Sequence, residues 1–195
     1  MYQCWPYIGE PGHHHARPRI IRALTDLFHF SEDPTLALFR PQVAPTDPDA
    51  RAIVWAVDEE HAPLYWFPRD CPRITFWRNE ATSDEDAARF LGHTSARRVH
   101  VIESAWLERL RAAVLFQYRF DPAPFALVAD AETGYWGTAE TVTALGCEPV
   151  GDLLAKHAAA GIELRITPSL WPLRDALVAS TVRFSMSRLR NAAPR

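Results

Sequence analysis

Hydrophobic and polar positions alternate most clearly over residues 27–31, Leu-Phe-His-Phe-Ser, and this period of two predicts a strand. Leu27, His29 and Ser31 would share one face of the strand, and the two phenylalanines would lie on the other. The flanking aromatic rings would fix the direction of His29, whose imidazole can donate and accept hydrogen bonds near neutral pH. We expect the rest of the chain to be organised around this strand.

Short strands and short helices alternate irregularly along the remainder of the chain. Strands are predicted where β-branched and aromatic residues cluster, over residues 52–57, 73–77, 98–102, 114–120, 134–142, 162–166 and 181–186. Helices are predicted from apolar spacing and start signals over residues 58–67, 83–92, 104–113, 152–160 and 169–179. Pro-rich loops separate them, and there is no GxGxxG or P-loop motif. The pattern favours an α+β fold with a bent or split, mainly antiparallel sheet and short helices.

Length and composition predict an irregular arm over residues 1–20 and a single α+β domain over residues 21–195. The net charge of −3 gives no strong basic field, so bulk nucleic-acid binding is not expected. The basic segment 183–195 is interpreted as a solvated tail. The longest apolar runs fall short of the ~18 residues that span a bilayer, so no membrane association is expected.

Three cysteines without CxxC spacing favour a reduced, cytoplasmic compartment over a disulfide framework or structural zinc. The three adjacent histidines at 13–15 lack further ligands at a fixed spacing, so no metal is expected. Residues 58–61, Asp-Glu-Glu-His, are interpreted as a wet, charged helix start, with a partial metal site as the alternative.

The strand around His29-Phe30-Ser31 resembles the first strand of ADP-ribosyltransferase-like domains, which opens a nicotinamide cleft. A strand at 54–56 and Tyr65 in a following short helix match the order of that family, and Glu140 falls where its late glutamate stands. The resemblance implies NAD as cofactor, with His29 on a ribose hydroxyl, Tyr65 stacked on nicotinamide and Glu140 stabilising the ribosyl cation. Thr138 stands where some members carry a second carboxylate.

The residue types suit that chemistry independently of the family. Breaking a glycosidic bond to nicotinamide builds positive charge on the ribose, and a nearby carboxylate stabilises it. Glu140 is the first candidate for that carboxylate and Glu103 the alternative. An aromatic face such as Tyr65 can hold the leaving ring.

Residues 67–73, Phe-Pro-Arg-Asp-Cys-Pro-Arg, form a second candidate cluster. Arg69 and Arg73 would bind phosphate, because two parallel N–H donors of a guanidinium match two phosphate oxygens. Alternatively, one of the arginines would pair with Asp70 in a structural turn. Ser31 joins His29, Tyr65 and the two arginines as a predicted nucleotide contact. Cys71 is a remote candidate nucleophile.

The chain also resembles a small family of uncharacterised bacterial proteins with the pattern HFSEDP, WA-[IV]-D-x-x-H, FPRDCPR and RLRN, matched at 29–34, 55–61, 67–73 and 188–191. The first hypothesis is an ADP-ribosyltransferase-like domain that binds NAD or a related nucleotide as its small-molecule partner and acts on its ribose, with any macromolecular acceptor unknown. The alternatives are a non-catalytic ligand-binding or interaction module on the same fold and a small hydrolase that uses Cys71 or the acidic residues near His61.

Overall fold

The structure, a computed structural model, describes residues 26–43, 50–128 and 134–195. The described chain forms two compact units and crosses between them three times. The first takes the described residues up to Arg69 and then Ala113–Gly151, and the second takes Asp70–Ala112 and Asp152–Arg195. The predicted arm over residues 1–20 lies outside the described residues, and the single domain over 21–195 stays a prediction.

The first unit is built on a six-stranded antiparallel sheet in the order β6-β7-β2-β1-β5-β8. Its strands are β1 (Leu27–Ser31), β2 (Val54–Asp58), β5 (Phe116–Phe120), β6 (Ala126–Leu127), β7 (Tyr135–Thr138) and β8 (Gly146–Pro149). A 3₁₀ helix, Ala62–Tyr65, follows β2 and has Pro63 in its first turn. Proline suits that position because its ring presets a helical φ and the missing N–H has no helical partner there.

The predicted alternation along β1 is confirmed. Leu27 is fully buried in an apolar cluster with Phe39, Tyr118 and Phe120 on one face of the sheet. Phe28 packs on the other face, in a cluster that includes Val57, Ala62 and the partly buried Tyr65. The two faces of this strand therefore belong to different apolar environments.

The sheet opens between its two central strands. β1 pairs with β2 only at Leu27–Asp58 and Phe28–Val57, whereas all five of its residues pair with β5. Beyond Phe28 the two strands continue without ladder pairs, and Gln42 pairs instead with Ile53, the residue that precedes β2. We call this interruption of the β1–β2 ladder the fork. Its open end lies at Ser31 of β1 and Val54 of β2, because the strands are antiparallel. Val54 is paired with Thr138 of β7, which places the end of β7 there too.

The turn after β1 is held by a tyrosine from β5. The Tyr118 hydroxyl, buried at 1% exposure, donates to the Asp33 carbonyl at 2.7 Å and accepts from Leu36 N–H at 3.1 Å. Within the turn, Asp33 N–H donates to Ser31 Oγ at 3.1 Å, and the Asp33 carboxylate accepts from Thr35. Such side-chain bonds to nearby backbone groups are typical of tight polar turns.

The second unit combines a four-stranded sheet, in the order β10-β3-β4-β9, with four short helices. The strands are β3 (Arg73–Trp77), β4 (Val99–Glu103), β9 (Glu163–Thr167) and β10 (Arg183–Ser187), and β4 pairs with β9 in parallel. The helices are α1 (Asp84–Leu91), α2 (Leu107–Ala112), α3 (Leu153–Ala159) and α4 (Trp171–Val178). Two mostly antiparallel sheets with short helices confirm the α+β class.

Local signals set the start of α1 as predicted. Ser83 accepts from Asp86 N–H at 3.2 Å and caps the helix, and Gly92 follows its last residue. Ser104, by contrast, does not cap α2, since it begins a one-turn 3₁₀ segment that runs to Trp106. The predicted solvated tail is also wrong. Asn191 donates to the Asp70 carbonyl at 2.8 Å, so the segment is attached to the second unit.

A histidine pair is buried in the second unit. His157 Nδ1 donates to the Leu153 carbonyl at 2.6 Å, so its Nε2 accepts from His100 Nδ1 at 2.9 Å. Burial lowers the pKa of both imidazoles, and that of His100 lies well below its usual value, with smaller contributions from His157, Arg98 and Arg73. Both rings are therefore neutral in the folded protein near pH 7.

Stability should fall with acid because of this pair. In the unfolded chain the imidazoles have a pKa of ~6.5, which is higher than their pKa in the folded protein. At a pH between the unfolded and the folded pKa, the unfolded state therefore binds more protons. The contribution of the pair to the free energy of unfolding should be constant above the unfolded pKa. Below that pKa it should fall by about 1.4 kcal/mol per pH unit for each ring. Urea unfolding at pH 7.5 and 5.5 measures the fall. The double variant His100→Leu, His157→Leu should make the fall smaller, with the buried His29 still contributing, and an equal fall in both proteins would contradict this account.

Tyr118→Phe should loosen the turn after β1. The variant leaves the Asp33 carbonyl and the Leu36 N–H without their partner, which should cost about 1–3 kcal/mol of stability. Amide hydrogen exchange should accelerate at Leu36. The Val142 amide, which donates to the Phe39 carbonyl at 3.0 Å, serves as the internal control. Unchanged exchange at Leu36 would show that the hydroxyl does not hold the turn.

Candidate functional site

His29 lies at the fork and bonds across it. Its Nδ1 is 3.3 Å from the Trp55 carbonyl oxygen of β2, and because a carbonyl only accepts, Nδ1 carries the proton. The imidazole edge meets the Phe39 ring, with centroids 5.2 Å apart. Burial lowers the pKa of His29, the bond to Trp55 opposes this shift, and the positive charge of Arg69 lowers the pKa further. The ring is therefore neutral near pH 7, with Nε2 as an acceptor.

Tyr65 contacts the opposite face of β1. Its ring lies parallel to Phe30, at 4° and 6.2 Å between centroids, and edge-on to Tyr135 at 6.4 Å. Trp55 meets the same Tyr135 ring at 6.3 Å. We call Phe30, Trp55, Tyr65 and Tyr135 the aromatic platform. His29 and Tyr65 are thus not brought together on one face, although each is adjacent to the fork.

Arg69 and Ser31 lie near the open end of the fork. Arg69 N–H donates to Glu32 Oε1 at 3.3 Å, which joins the segment after the 3₁₀ helix to the turn after β1. The Arg69 residue is exposed, and its charge acts on the pKa of His29, so the guanidinium lies within electrostatic range of the imidazole. The Ser31 hydroxyl is half-buried and already accepts from Asp33 N–H.

Glu140 is exposed and follows β7 at the same end of the sheet. Its N–H donates to Thr138 Oγ1 at 3.1 Å, which fixes the backbone that carries the carboxylate. Val142, two residues further on, pairs with Phe39, the residue whose ring contacts His29. Glu140 thus lies in the segment between β7 and the residue that pairs with Phe39, and its proximity to His29 stays a prediction.

Arg73 and Cys71 belong to the second unit and have structural contacts there. Arg73 is 7% exposed, and its Nη1 donates to the Cys71 carbonyl at 3.2 Å. These contacts give Arg73 a structural role, and a phosphate contact for Arg73 stays a prediction. Cys71 is fully buried, which raises the pKa of its thiol to about 12. A thiolate nucleophile is therefore scarce at neutral pH.

Glu103, the alternative carboxylate, already has two backbone partners. It is 2% exposed, and its two carboxylate oxygens accept from Leu170 N–H at 3.1 Å and from Ala193 N–H at 2.8 Å. These bonds satisfy a helix start and hold the chain near Ala193, since a buried carboxylate needs such donors. Glu103 is therefore occupied by structural contacts.

Sequence reasoning missed a carboxylate–imidazole pair. The segment interpreted as a wet helix start places His61 at 4% exposure, with Nδ1 2.7 Å from Asp58 Oδ1. The spacing of three residues was the available signal, because such residues meet within one turn. Among the described residues, no group of three or more histidine, cysteine or acidic side chains is arranged to hold a metal ion.

Comparison with known proteins gives a family and no activity. No curated protein and no solved structure matched the chain. No helix in the described ranges is long and apolar enough to cross a membrane. One family model matched residues 28–192, which include every strand of both sheets except for Leu27, the first residue of β1. The chain is a member of DUF6886, a family of unknown function.

Proposed function

We propose that the first unit binds NAD or a related nucleotide at the fork and acts on its ribose, as an ADP-ribosyltransferase-like enzyme. The observation that carries the proposal is the interrupted pairing of β1 with β2 beside His29. The end of this ladder is where a ligand would enter between the strands, with His29, Ser31 and Tyr65 as its proposed contacts.

The proposed site would use both faces of the sheet. A gap between strands gives a ligand access to side chains on either side, so a planar ring can meet Tyr65 while the attached ribose meets His29. Because Nδ1 of His29 is committed to the Trp55 carbonyl, Nε2 is the atom that would accept a hydrogen bond from a ribose hydroxyl. Arg69 is the candidate for the phosphates, as an exposed guanidinium near the imidazole.

The proposed reaction breaks the bond between nicotinamide nitrogen and ribose carbon. Nicotinamide leaves with the bonding electrons, and the ribose carbon becomes cationic. The Glu140 carboxylate would stabilise this cation until a nucleophile on water or an acceptor attacks and releases its proton. Thr138 holds the Glu140 backbone in place for this role.

The second candidate is a non-catalytic ligand-binding module on the same unit. It is favoured by the exposure of Glu140, since a charge in water stabilises a cation less than a desolvated one does. Both candidates require nucleotide binding at the fork, and only the first requires nicotinamide release. A hydrolase based on Cys71 is disfavoured by the raised pKa of its thiol.

Glu140→Gln should separate binding from chemistry. The amide preserves the shape and removes the charge, so nicotinamide release should fall at least ~100-fold. Nucleotide affinity should hold or improve, because the ground state needs the charge less than the transition state does. Calorimetry with NAD and chromatography of released nicotinamide measure the two quantities.

Glu148→Gln is the matched control, as another exposed carboxylate of the first unit, and should behave as wild type. Equal release from wild type and Glu140→Gln would remove Glu140 from the reaction. Wild-type binding without release would select the non-catalytic module, and an absence of binding would refute both.

Substitutions at Arg69 should separate its charge from its geometry. Arg69→Lys keeps the positive charge but loses the two parallel N–H donors of the guanidinium, so nucleotide affinity should fall about tenfold, or ~1.4 kcal/mol. Arg69→Gln should weaken binding at least as much and should also raise the pKa of His29, since the Arg69 charge lowers it.

Calorimetry and an NMR titration of the His29 ring measure these effects. Arg51→Lys, at another exposed arginine of the first unit, is the control. Wild-type affinity in both Arg69 variants would exclude this residue from the site, and an unmoved His29 pKa in Arg69→Gln would show that the two groups are too far apart to interact.

A further inference from the structure

A carboxylate–imidazole pair at the closed end of the fork, with the imidazole buried and the carboxylate half-buried, is not used by the proposed reaction. Asp58 is the last residue of β2, and its Oδ1 accepts both from His61 N–H at 2.9 Å and from His61 Nδ1 at 2.7 Å. One carboxylate oxygen therefore fixes the backbone and the ring of the same residue. His61 itself is only 4% exposed. Two bonds to one acceptor leave the imidazole a single orientation.

Gly134 closes over this pair from the neighbouring strand. Its carbonyl accepts from Asp58 N–H at 3.2 Å, and its φ is +62°. A side chain at this position would overlap the imidazole of His61, and the positive φ is unfavourable for other residues as well. The absence of a side chain is therefore what allows the chain before β7 to pack directly on the ring.

Two routes lead from this cluster to Tyr65. The first is the 3₁₀ helix, which begins after His61 and whose Leu64 N–H donates to the His61 carbonyl at 3.0 Å; Tyr65 is its last residue. The second passes through Tyr135, which directly follows Gly134 and meets the Tyr65 ring edge-on. The position of Tyr65 is thus fixed from its own helix and from the neighbouring strand.

We infer that Asp58, His61 and Gly134 form a lock that holds Tyr65 in the aromatic platform and thereby sets the affinity of the fork for a planar ring. The three are positioning residues, and this role rests on the proposed function for its ligand. A fixed ring spares the ligand the entropy of ordering it. The lock acts on binding, since none of its groups is assigned to the bond that breaks.

The test compares two substitutions of one residue. Asp58→Ala removes both bonds to His61, whereas Asp58→Asn keeps an oxygen that can accept them and loses only the charge. Glu59→Gln, at the exposed neighbour, is the control for charge. His61→Phe fills a similar volume without the ring N–H and serves as a second disrupting variant if Asp58→Ala does not fold.

Each protein is labelled with 3-fluorotyrosine and observed by fluorine NMR, and the Tyr65 line among the five tyrosines is assigned with Tyr65→Phe. In Asp58→Ala and His61→Phe the Tyr65 line should shift or broaden, while the Tyr118 line should stay. NAD affinity should fall about 2- to 10-fold, the range expected for one aromatic contact. Nicotinamide release at saturating NAD should stay within about twofold, because the lock acts on binding. Asp58→Asn and Glu59→Gln should match wild type.

An unmoved Tyr65 line in both disrupting variants would overturn the lock. So would an Asp58→Asn variant that behaves like Asp58→Ala, because the charge, and not the hydrogen-bond acceptor, would then be the essential property. The two proposals fail separately. A moved Tyr65 line in a protein that never binds NAD leaves the lock standing and refutes the proposed function. Normal NAD binding with an unmoved Tyr65 line would refute the lock and leave the proposed nucleotide binding standing.

Discussion

The hydrogen bond from His29 to the Trp55 carbonyl is the interaction on which the first unit depends. Where β1 and β2 stop pairing, Trp55 needs another donor for its carbonyl, and the imidazole supplies it. Burial keeps the ring neutral, and the bond fixes which nitrogen carries the proton. The His29 side chain thus takes the place of a backbone donor in the β1–β2 ladder. The two central strands stay connected although their backbone pairing ends there.

The rest of the first unit fits around that opening. Phe39 supports the imidazole from one face, and Tyr65 stacks against Phe30 on the other. Tyr118 ties down the turn at the open end. Each contact joins an aromatic ring to a residue at least ten positions away along the chain, so tertiary contacts fix these rings although several of them lie beside turns. Such rigidity is what a binding site requires of its supporting residues.

Sequence patterns predicted the structural features that depend on residues close together along the chain. They failed for features that depend on contacts between residues far apart along the chain. The alternation at 27–31 and the Ser83 and Gly92 signals of α1 were sufficient, because they act within one element. β8 was missed because Gly146 and Pro149 are poor strand residues, and its pairing with β5 sustains it. Glu103 was a candidate for chemistry because its partners lie 67 and 90 residues away along the chain. The resemblance to ADP-ribosyltransferase-like domains suggested roles for His29 and Tyr65, but no pattern within a strand could show that they contact opposite faces.

The interleaving of the two units along the chain has a consequence for biosynthesis. β3 and β4 are translated before the 113–151 segment, but β9 and β10 come only after it. Until then, both outer edges of the β3–β4 pair lack their strands, and the carboxylate of Glu103 lacks its donors from residues 170 and 193. Exposed strand edges on a nascent chain invite pairing with other chains. The second unit therefore cannot complete its sheet while its first half leaves the ribosome, and β3 and β4 wait for their outer strands at least as long as translation of the intervening segment takes.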